Sequence, residues 1–372
     1  MPMRIFRKIL TWLSCLLIAA LLMSAWLPVL NPGKWWIAGF AGLFFPILFP
    51  VCLLLLPLLL RYRHKKLLWY CTAAVIVCLP AALSTWGVHI FRKNNIRTAN
   101  DRQFTVMTYN TSSMGLVKYR TDKEKEAAIY AEINASSPDI LCLEEFYSND
   151  APDKEQHIQR IIQAGHYTAH YFTRDKIHWD TWNYGIALFS RFPVIGAQAI
   201  PCGQSLAGSG SSFLQADLLI KGDTIRVFAV QLTSYMFNDQ DYNNLKTPFS
   251  GGLINKMRST FEQRSSQAQQ LAALIAQSPF PVVVCGDLND TPTSFTYRTV
   301  SKNMQDIFLE TGSGLGRTLS FLSPTLRIDY ILCQATFDIH GGKVPHPASS
   351  EHFPVVACLS LKSSGNTRKP GN

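Results

Sequence analysis

Acidic residues are almost absent from the first 102 positions of this 372-residue chain, where Asp101 stands against 12 Lys and Arg. Residues 103–372 hold 23 Lys and Arg and 24 Asp and Glu, although the whole chain carries +10. The excess positive charge therefore belongs to the N-terminal part. The near-neutral charge of the later part gives no support for a large nucleic-acid footprint there.

Charged residues are also missing from three apolar stretches, residues 9–30, 35–60 and 67–91. Each stretch has the ~20 residues needed to cross ~30 Å of hydrocarbon. Buried core helices are the alternative, and the first stretch could be a cleaved signal peptide. Because two further spans follow it, we expect a retained helix and a three-helix transmembrane anchor over residues 1–91. No charge lies mid-span, which argues against a transporter or proton relay.

The basic residues of the short loops indicate the orientation of this anchor. The loop 61–66 carries four Lys and Arg, whereas the turn 31–34 carries one. By the positive-inside rule, the N-terminus is cytoplasmic and the domain after the third helix is extracytoplasmic, periplasmic in a bacterial inner membrane. Four basic residues between 92 and 102 oppose this orientation. A long following domain can translocate regardless of such charges.

No CxxC pair occurs among the nine cysteines, which argues against a zinc ribbon or a thioredoxin-type motif. Four cysteines lie in the apolar N-terminal stretches. We expect the later five to be mainly buried free thiols, since most of them lie in apolar runs. These five are Cys142, Cys202, Cys285, Cys333 and Cys358.

Residues 92–102 have the composition of a polar linker, and strands interspersed with a few helices are predicted from residue 103 onward. This pattern is typical of an α+β domain with two packed sheets flanked by helices. The polar segment 234–252 is predicted to be a long loop over the site or a disordered insert. The tail 363–372 is predicted to be disordered. Strands are predicted at 104–109, 139–143, 184–190, 213–220, 224–232, 281–285, 327–332 and 354–361, and helices at 123–134, 154–164 and 255–277.

Polar side chains follow, end or interrupt several of the predicted buried strands. A sheet scaffold can bring such side chains together in one cleft. Carboxylates and amides with a single His, and without a Cys/His cluster, suit a hard cation such as Mg²⁺. The residues are Asn110, Glu144, Glu145, Asp287, Asn289, Asp329, Glu351 and His352.

Four motifs in this order resemble the endonuclease/exonuclease/phosphatase superfamily: PDILCLEE, GDLNDTP, RIDYIL and SEHFPV. The superfamily includes deoxyribonuclease-like nucleases, apurinic endonucleases, inositol phosphatases and neutral sphingomyelinases. The resemblance spans 103–361. It implies a catalytic domain over residues 103–362, built as a four-layer sandwich of two mixed β-sheets between helices. It also implies hydrolysis of phosphate esters with Mg²⁺, or Mn²⁺ in its place.

The resemblance also assigns a role to each matching residue. Glu145 matches the metal-binding acid, Asn110 the Asn that supports the metal-and-phosphate site, and Glu351 is taken with the metal ligands. The remaining matches concern the chemistry of hydrolysis. Asp287 matches the Asp that orients or deprotonates the attacking water, Asn289 the Asn that hydrogen-bonds the phosphate, Asp329 the Asp that orients the catalytic His, and His352 that His.

The sequence departs from the superfamily pattern at three positions. Glu144 stands where Gln is usual, Gln231 where many members have His, and Glu351 where Asp precedes the catalytic His. Gln cannot transfer a proton, so these changes bear on the rate and on the number of metal ions. Gln231 and Asn183 are predicted to line the cleft and contact the substrate.

Two functions of different classes follow from these residues. The first is a membrane-anchored, metal-dependent phosphoesterase acting on a nucleic acid, a phospholipid headgroup or a small phosphate ester. The second is a catalytically weakened, membrane-tethered domain that binds a phosphorylated ligand or a protein partner. Metal-dependent turnover distinguishes them. For Asp287 and Asn289 alone, an ordinary Asx turn after a strand is the alternative.

Overall fold

A computed structural model of the chain describes residues 2–89, 102–117, 119–203, 210–235, 251–321, 323–347 and 350–362. Three predicted segments fall wholly or mainly outside these ranges. They are the linker 92–102, the loop 234–252 and the tail 363–372.

Apolar helices make up the N-terminal part, and two of them are long and apolar enough to cross a membrane, Arg4–Val29 and Ile37–Arg61. The predicted third span is a pair of helices, Lys65–Val77 and Leu79–Thr85, bent by 50°. Pro80 lies in the first turn of the second helix of the pair, and proline interrupts the helical hydrogen-bond ladder. Three spans are therefore reached only if the bent pair counts as one. Helical segments begin and end at Pro2–Trp26, Leu27–Val29, Ile37–Ala41, Gly42–Phe44, Phe45–Arg61, Lys65–Val77 and Leu79–Thr85.

Two mixed sheets form the centre of the later domain. One has seven strands, in the order Phe337–Lys343, Val355–Leu361, Phe104–Asn110, Ile140–Asn149, Trp182–Ser190 and Ala169–Phe172, with Lys176–His178 also paired to Trp182–Ser190. The other has six, in the order Met304–Asp306, Asp329–Gln334, Val282–Asp287, Asp223–Gln231, Ser212–Ile220 and Val194–Pro201. Two-residue strands pair Gly87–Val88 with Ser313–Gly314 and Leu116–Val117 with Arg120–Thr121.

The two sheets pack face to face because the inward-facing side chains of their central strands are apolar. The outward-facing side chains of the same strands are apolar as well, so helices cover them. Along Phe104–Asn110, Val106 joins the cluster between the sheets, whereas Met107 and Tyr109 join the cluster under the outer helices. The outer helices are Lys123–Ser136 and His157–Gly165 on one side, and Gly251–Ala276 and Phe295–Val300 on the other. The described residues also include the short helical segments Ser112–Gly115 and Ile307–Thr311. The predicted four-layer sandwich is confirmed.

Sequence and structure differ mainly at the sheet edges. The strand predicted at 139–143 runs on to Asn149, past an irregularity between Leu143 and Phe146. The predictions omitted strands 169–172, 176–178, 194–201, 304–306 and 337–343, most of which are edge strands. Val194–Pro201, for example, has no fully buried residue, so it lacks the apolar alternation on which the prediction depends. The five later cysteines are free thiols, and all but Cys202 are buried, as predicted.

Candidate active site

The predicted site residues meet where the central strands of the two sheets end. Asn110 lies opposite Glu144 in a parallel strand pair of the seven-stranded sheet. In the six-stranded sheet, Asp287 lies between Gln231 on a parallel strand and Asp329 on an antiparallel one. Parallel neighbours place their carboxyl ends at the same edge, and this brings the polar residues together.

Two site residues have left-handed backbone conformations, Glu145 with φ 47° and Asn289 with φ 52°. Such conformations cost about 1–3 kcal/mol for a residue other than glycine and persist only where the surroundings impose them. At Glu145 the strand is irregular, which turns its side chain toward the cleft edge. Gly286 is required just before Asp287, because a Cβ there would collide with the Val230 carbonyl.

Two amides hold the carboxylate of Glu145. Asn110 donates Nδ2–H to Glu145 Oε1 at 3.2 Å and to Asp287 Oδ2 at 3.1 Å, which links the two sheets across the cleft. The backbone N–H of Ser112 donates to Asn110 Oδ1 at 3.0 Å and so orients that amide. Gln231 donates Nε2–H to Glu145 Oε1 at 2.6 Å. Gln231 therefore acts as a fixed donor to the predicted metal ligand.

Asp287 is buried and held by Asn289 from two sides. The backbone N–H of Asn289 donates to Oδ1 at 2.7 Å, and its Nδ2–H donates to Oδ2 at 3.1 Å and to the Leu232 carbonyl at 2.9 Å. Burial, together with the negative charge of Asp329, raises the pKa of Asp287 to about 7. A carboxyl with this pKa can accept a proton from water near neutral pH.

His352 and Asp329 form a buried pair, with Nδ1 at 3.2 and 3.1 Å from the two carboxylate oxygens. Burial opposes the charged imidazolium, but the charge of Asp329 and the hydrogen bond to it raise the pKa of His352 to about 10. His352 is therefore protonated at neutral pH. Because Asp329 engages Nδ1, Nε2 is the ring nitrogen left to face a substrate.

The donor set fits a divalent cation. Polar side-chain atoms of Asp287, Asp329 and His352 lie within 4.8 Å of one another. The carboxylates supply the candidate ligands of this group, because a protonated imidazole has no lone pair to offer a cation. Glu145 adjoins this group through the amide that it shares with Asp287. Carboxylate oxygens are the ligands that hard cations prefer. Burial and the repulsion of Asp329 both raise the pKa of Asp287, and a bound cation would offset both.

Two predicted residues are not joined to this network by any described hydrogen bond. The Glu351 carboxylate, 44% exposed, pairs with Lys125 Nζ at 2.8 Å. Asn183 is buried, donates to Asp150 Oδ2 at 3.0 Å, and leaves its Oδ1 without a described partner. Metal binding by Glu351 and substrate contact by Asn183 remain predictions.

Glu144 is fully buried beneath the site and accepts a hydrogen bond from Thr108 Oγ1 at 2.7 Å. Burial is the main cause that raises the pKa of Glu144 well above its usual range. The raised pKa favours the protonated form, which carries no charge, like the Gln that is usual at this position in the superfamily pattern.

Sequence patterns did not reveal the residue that holds the Asp329 strand. Thr318 Oγ1 accepts hydrogen bonds from the backbone N–H groups of Ile328 and Asp329, at 2.9 and 3.1 Å. Next to it, Leu319 forms an isolated β-bridge with His352. Thr318 lies in a segment with no periodic pattern, so no sequence signal marked it. Gly286 does have a sequence signal, since a glycine stands directly before Asp287 in the GDLNDTP motif.

Comparisons with known proteins agree with this geometry. The model of the Endonuclease/Exonuclease/phosphatase family matches residues 107–352. A second family model, a domain of unknown function (DUF8431), matches residues 7–85. A search of curated protein sequences gives no match.

Several solved structures share the fold. An endonuclease/exonuclease/phosphatase from Beutenbergia cavernae has TM-score 0.50 and 22% identity, with 70% of this chain and 72% of that chain covered. The human Nocturnin catalytic domain with bound sulfate has TM-score 0.51 and 20% identity, covering 73% and 97%. D. rerio TDP2 complexed with single-strand DNA product has TM-score 0.51 and 12% identity, covering 70% and 100%. With the family match over most of its length, the chain belongs to the endonuclease/exonuclease/phosphatase family of metal-dependent enzymes that hydrolyse phosphate ester bonds.

Proposed function

We propose that the protein is a membrane-anchored, Mg²⁺-dependent phosphoesterase that directs water at the phosphorus of a phosphate ester. The observation that carries the proposal is geometric: Asp287, Asp329 and His352 bring their polar atoms within 4.8 Å of one another at one cleft edge. Asn289 holds Asp287 and Asp329 holds His352, and the raised pKa values of Asp287, about 7, and His352, about 10, support a base and a cationic partner.

The residues divide the work by charge. Asp287 orients the attacking water and accepts its proton, since its pKa of about 7 suits a general base. His352 places a positive charge where negative charge develops on the phosphate or the leaving group, and Asp329 keeps it protonated. Asn289 holds Asp287 in place, and the phosphate contact predicted for it requires its amide to exchange one of its two present hydrogen bonds, to Asp287 or to the Leu232 carbonyl. A Mg²⁺ ion bound by Glu145, with Asn110 beside it, would supply further neutralisation of the phosphate oxygens.

The membrane part of the proposal rests on the two long apolar helices and on where the catalytic domain contacts them. The domain contacts the backbone of Ala25, Gly42 and Ser84, all at the end of the bundle opposite the basic loop 61–66. If this loop is cytoplasmic, the catalytic domain is extracytoplasmic. The charge distribution and the contacts therefore support the same orientation.

A ligand-binding domain without turnover is the second candidate. Gln231, in place of a proton-transferring His, favours it, since the amide donates to Glu145 and cannot exchange a proton. The six matched residues Asn110, Glu145, Asp287, Asn289, Asp329 and His352 favour an enzyme.

The test uses the full chain in detergent with three substrates: bis-p-nitrophenyl phosphate, plasmid DNA and sphingomyelin. We expect at least one to be hydrolysed with Mg²⁺, and EDTA or Asp287→Ala to abolish the reaction. Asp338→Ala is the matched control, because Asp338 is exposed on an edge strand away from the cleft. Folded protein that turns over none of these substrates with Mg²⁺ or Mn²⁺ would favour the binding domain.

A further inference from the structure

The catalytic domain is seated on one end of the helical bundle by three backbone contacts. Arg298 Nη2 donates to the Ala25 carbonyl at 3.1 Å, and Thr293 Oγ1 donates to the Gly42 carbonyl at 2.8 Å. Arg327 Nη2 donates to the Ser84 carbonyl at 2.8 Å. The three carbonyls belong to three different helical segments, so the contacts fix the tilt of the domain as well as its position.

Close packing reinforces these contacts. A Cβ at Gly39 would come within 2.7 Å of the Phe261 ring, and one at Gly42 within 2.9 Å of Thr293 Oγ1. Phe40 packs edge-on against Phe261, with ring centroids 5.0 Å apart. Only residues without side chains allow the bundle and the domain to approach this closely.

A buried ion pair stiffens the same junction. Arg327 is 1% exposed, and its Nη1 donates to Asp306 Oδ2 at 2.5 Å while its Nη2 reaches Ser84. A buried pair of this kind is costly to break, because the partner charge would be left unpaired in the interior. The junction therefore holds the catalytic domain in a fixed position, the seat, on the helical bundle, which a flexible tether would not do.

The seat lies at the level of the membrane interface. The two long helices end and begin at Val29 and Ile37, and exposed Trp26 and Trp35, at 45% and 64%, flank that end. Tryptophan is enriched at the boundary between hydrocarbon and headgroups. The contacts of Gly42 thus place part of the catalytic domain in the interfacial layer.

The catalytic loop is part of this seat. Thr293 follows Asn289 by four positions, so the chain between them spans at most ~14 Å. The headgroup layer itself is ~5–8 Å thick on each side. The Asn289 side of the cleft therefore lies within ~14 Å of the contact with Gly42, a distance of the same order as the depth of the headgroup layer.

We infer that the substrate is a phosphate ester carried by a lipid of the same bilayer, which the seated catalytic domain meets at headgroup level. This inference rests on the proposed function. The shared chemistry is an anionic phosphate in the headgroup, either a monoester or a diester, and the substrates of the test separate the two.

The test reconstitutes the full chain in phosphatidylcholine vesicles that contain phosphatidic acid or phosphatidylglycerol, with Mg²⁺. Bis-p-nitrophenyl phosphate and a single-stranded oligonucleotide serve as soluble substrates. We expect one of the two lipids to be hydrolysed at least about tenfold faster in the protein's own vesicles than in separate, protein-free vesicles at equal total concentration, since confinement raises the effective concentration. Turnover of a soluble substrate with neither lipid hydrolysed would overturn the inference and leave the proposed function standing. Failure of every substrate would overturn both.

A pair of variants tests the seat itself. Arg298→Met removes the contact with Ala25, whereas Arg258→Met removes an exposed arginine of the neighbouring long helix that pairs with Glu262. We expect Arg298→Met to lower lipid turnover severalfold and to leave turnover of bis-p-nitrophenyl phosphate unchanged, and Arg258→Met to change neither. Equal loss on both substrates, or no loss on the lipid, would show that the seat does not present the cleft to lipid.

Discussion

Gln231→Leu is the substitution that most directly tests how the site holds its cation. Gln231 is buried and donates Nε2–H to Glu145 Oε1 at 2.6 Å, the shortest of the described hydrogen bonds to that carboxylate. Leucine has a similar volume but no donor. The change therefore removes one interaction while Asn110 continues to hold Glu145.

The magnitude follows from the kind of bond that is lost. A hydrogen bond to a charged group contributes about 1.5–3 kcal/mol. If this bond orients Glu145 for the cation, the loss falls on the metal-bound state. At about 1.4 kcal/mol per tenfold, the Mg²⁺ concentration for half-maximal activity then rises about 10- to 100-fold. Excess Mg²⁺ should restore most of the turnover.

The assay measures initial rates of the full chain over a series of Mg²⁺ concentrations. Gln270→Leu is the matched control, because Gln270 donates to the Pro201 carbonyl on the outside of the domain. An unchanged Mg²⁺ dependence of Gln231→Leu would refute the idea that this amide orients the metal ligand. A loss that excess Mg²⁺ does not restore would instead place Gln231 in contact with the substrate.

Three further outcomes follow from the charges of the site and of the seat. Asp329→Asn removes the charge that raises the pKa of His352 to about 10, so His352 loses its proton at a lower pH. The alkaline limb of the pH–rate profile then moves to lower pH, and an unchanged limb would contradict the pairing. Mg²⁺ affinity is measured by calorimetry one pH unit below and one above the Asp287 pKa of about 7. We expect it to be up to about tenfold weaker at the lower pH, because the Asp287 carboxyl must lose its proton as the cation binds. An affinity that does not change with pH would refute this. Arg327→Met is expected to destabilise the fold by about 3–5 kcal/mol, because it leaves Asp306 buried without its partner. The exposed control Arg258→Met is expected to change the stability by no more than about 0.5 kcal/mol. Equal melting temperatures of the two variants would refute the difference.

The order of polar residues along the chain was enough to predict the family and the fold. Each of the four motifs places polar residues at the end of an apolar strand, beside it or within it, a pattern that is local and can be read without the structure. The Asp287 strand and the Asp329 strand were both predicted, and they pair directly in the six-stranded sheet. Edge strands were missed because one exposed face and a few polar residues remove the periodicity.

Roles that depend on contacts between residues far apart in the chain could not be predicted. Glu351 pairs with Lys125, which lies 226 positions away, and Gln231 donates to Glu145 across the gap between the two sheets. The raised pKa values of His352, about 10, and Asp287, about 7, are set by burial together with charges on separate strands. No local pattern encodes such shifts, because a pKa depends on distances that only the folded chain sets.

The helical part shows the same division. Its apolar length is a property of composition, so the sequence by itself predicted three spans. The structure shows two helices long enough to cross a membrane and a bent pair in place of the third. The seat was decided by tertiary structure alone, since Thr293 and Gly42 meet across 251 positions of the chain. Glycines that pass as ordinary residues of an apolar helix become contact points only when a distant helix packs against them, and for that reason the relation of the catalytic cleft to the bundle could be read only from the folded chain.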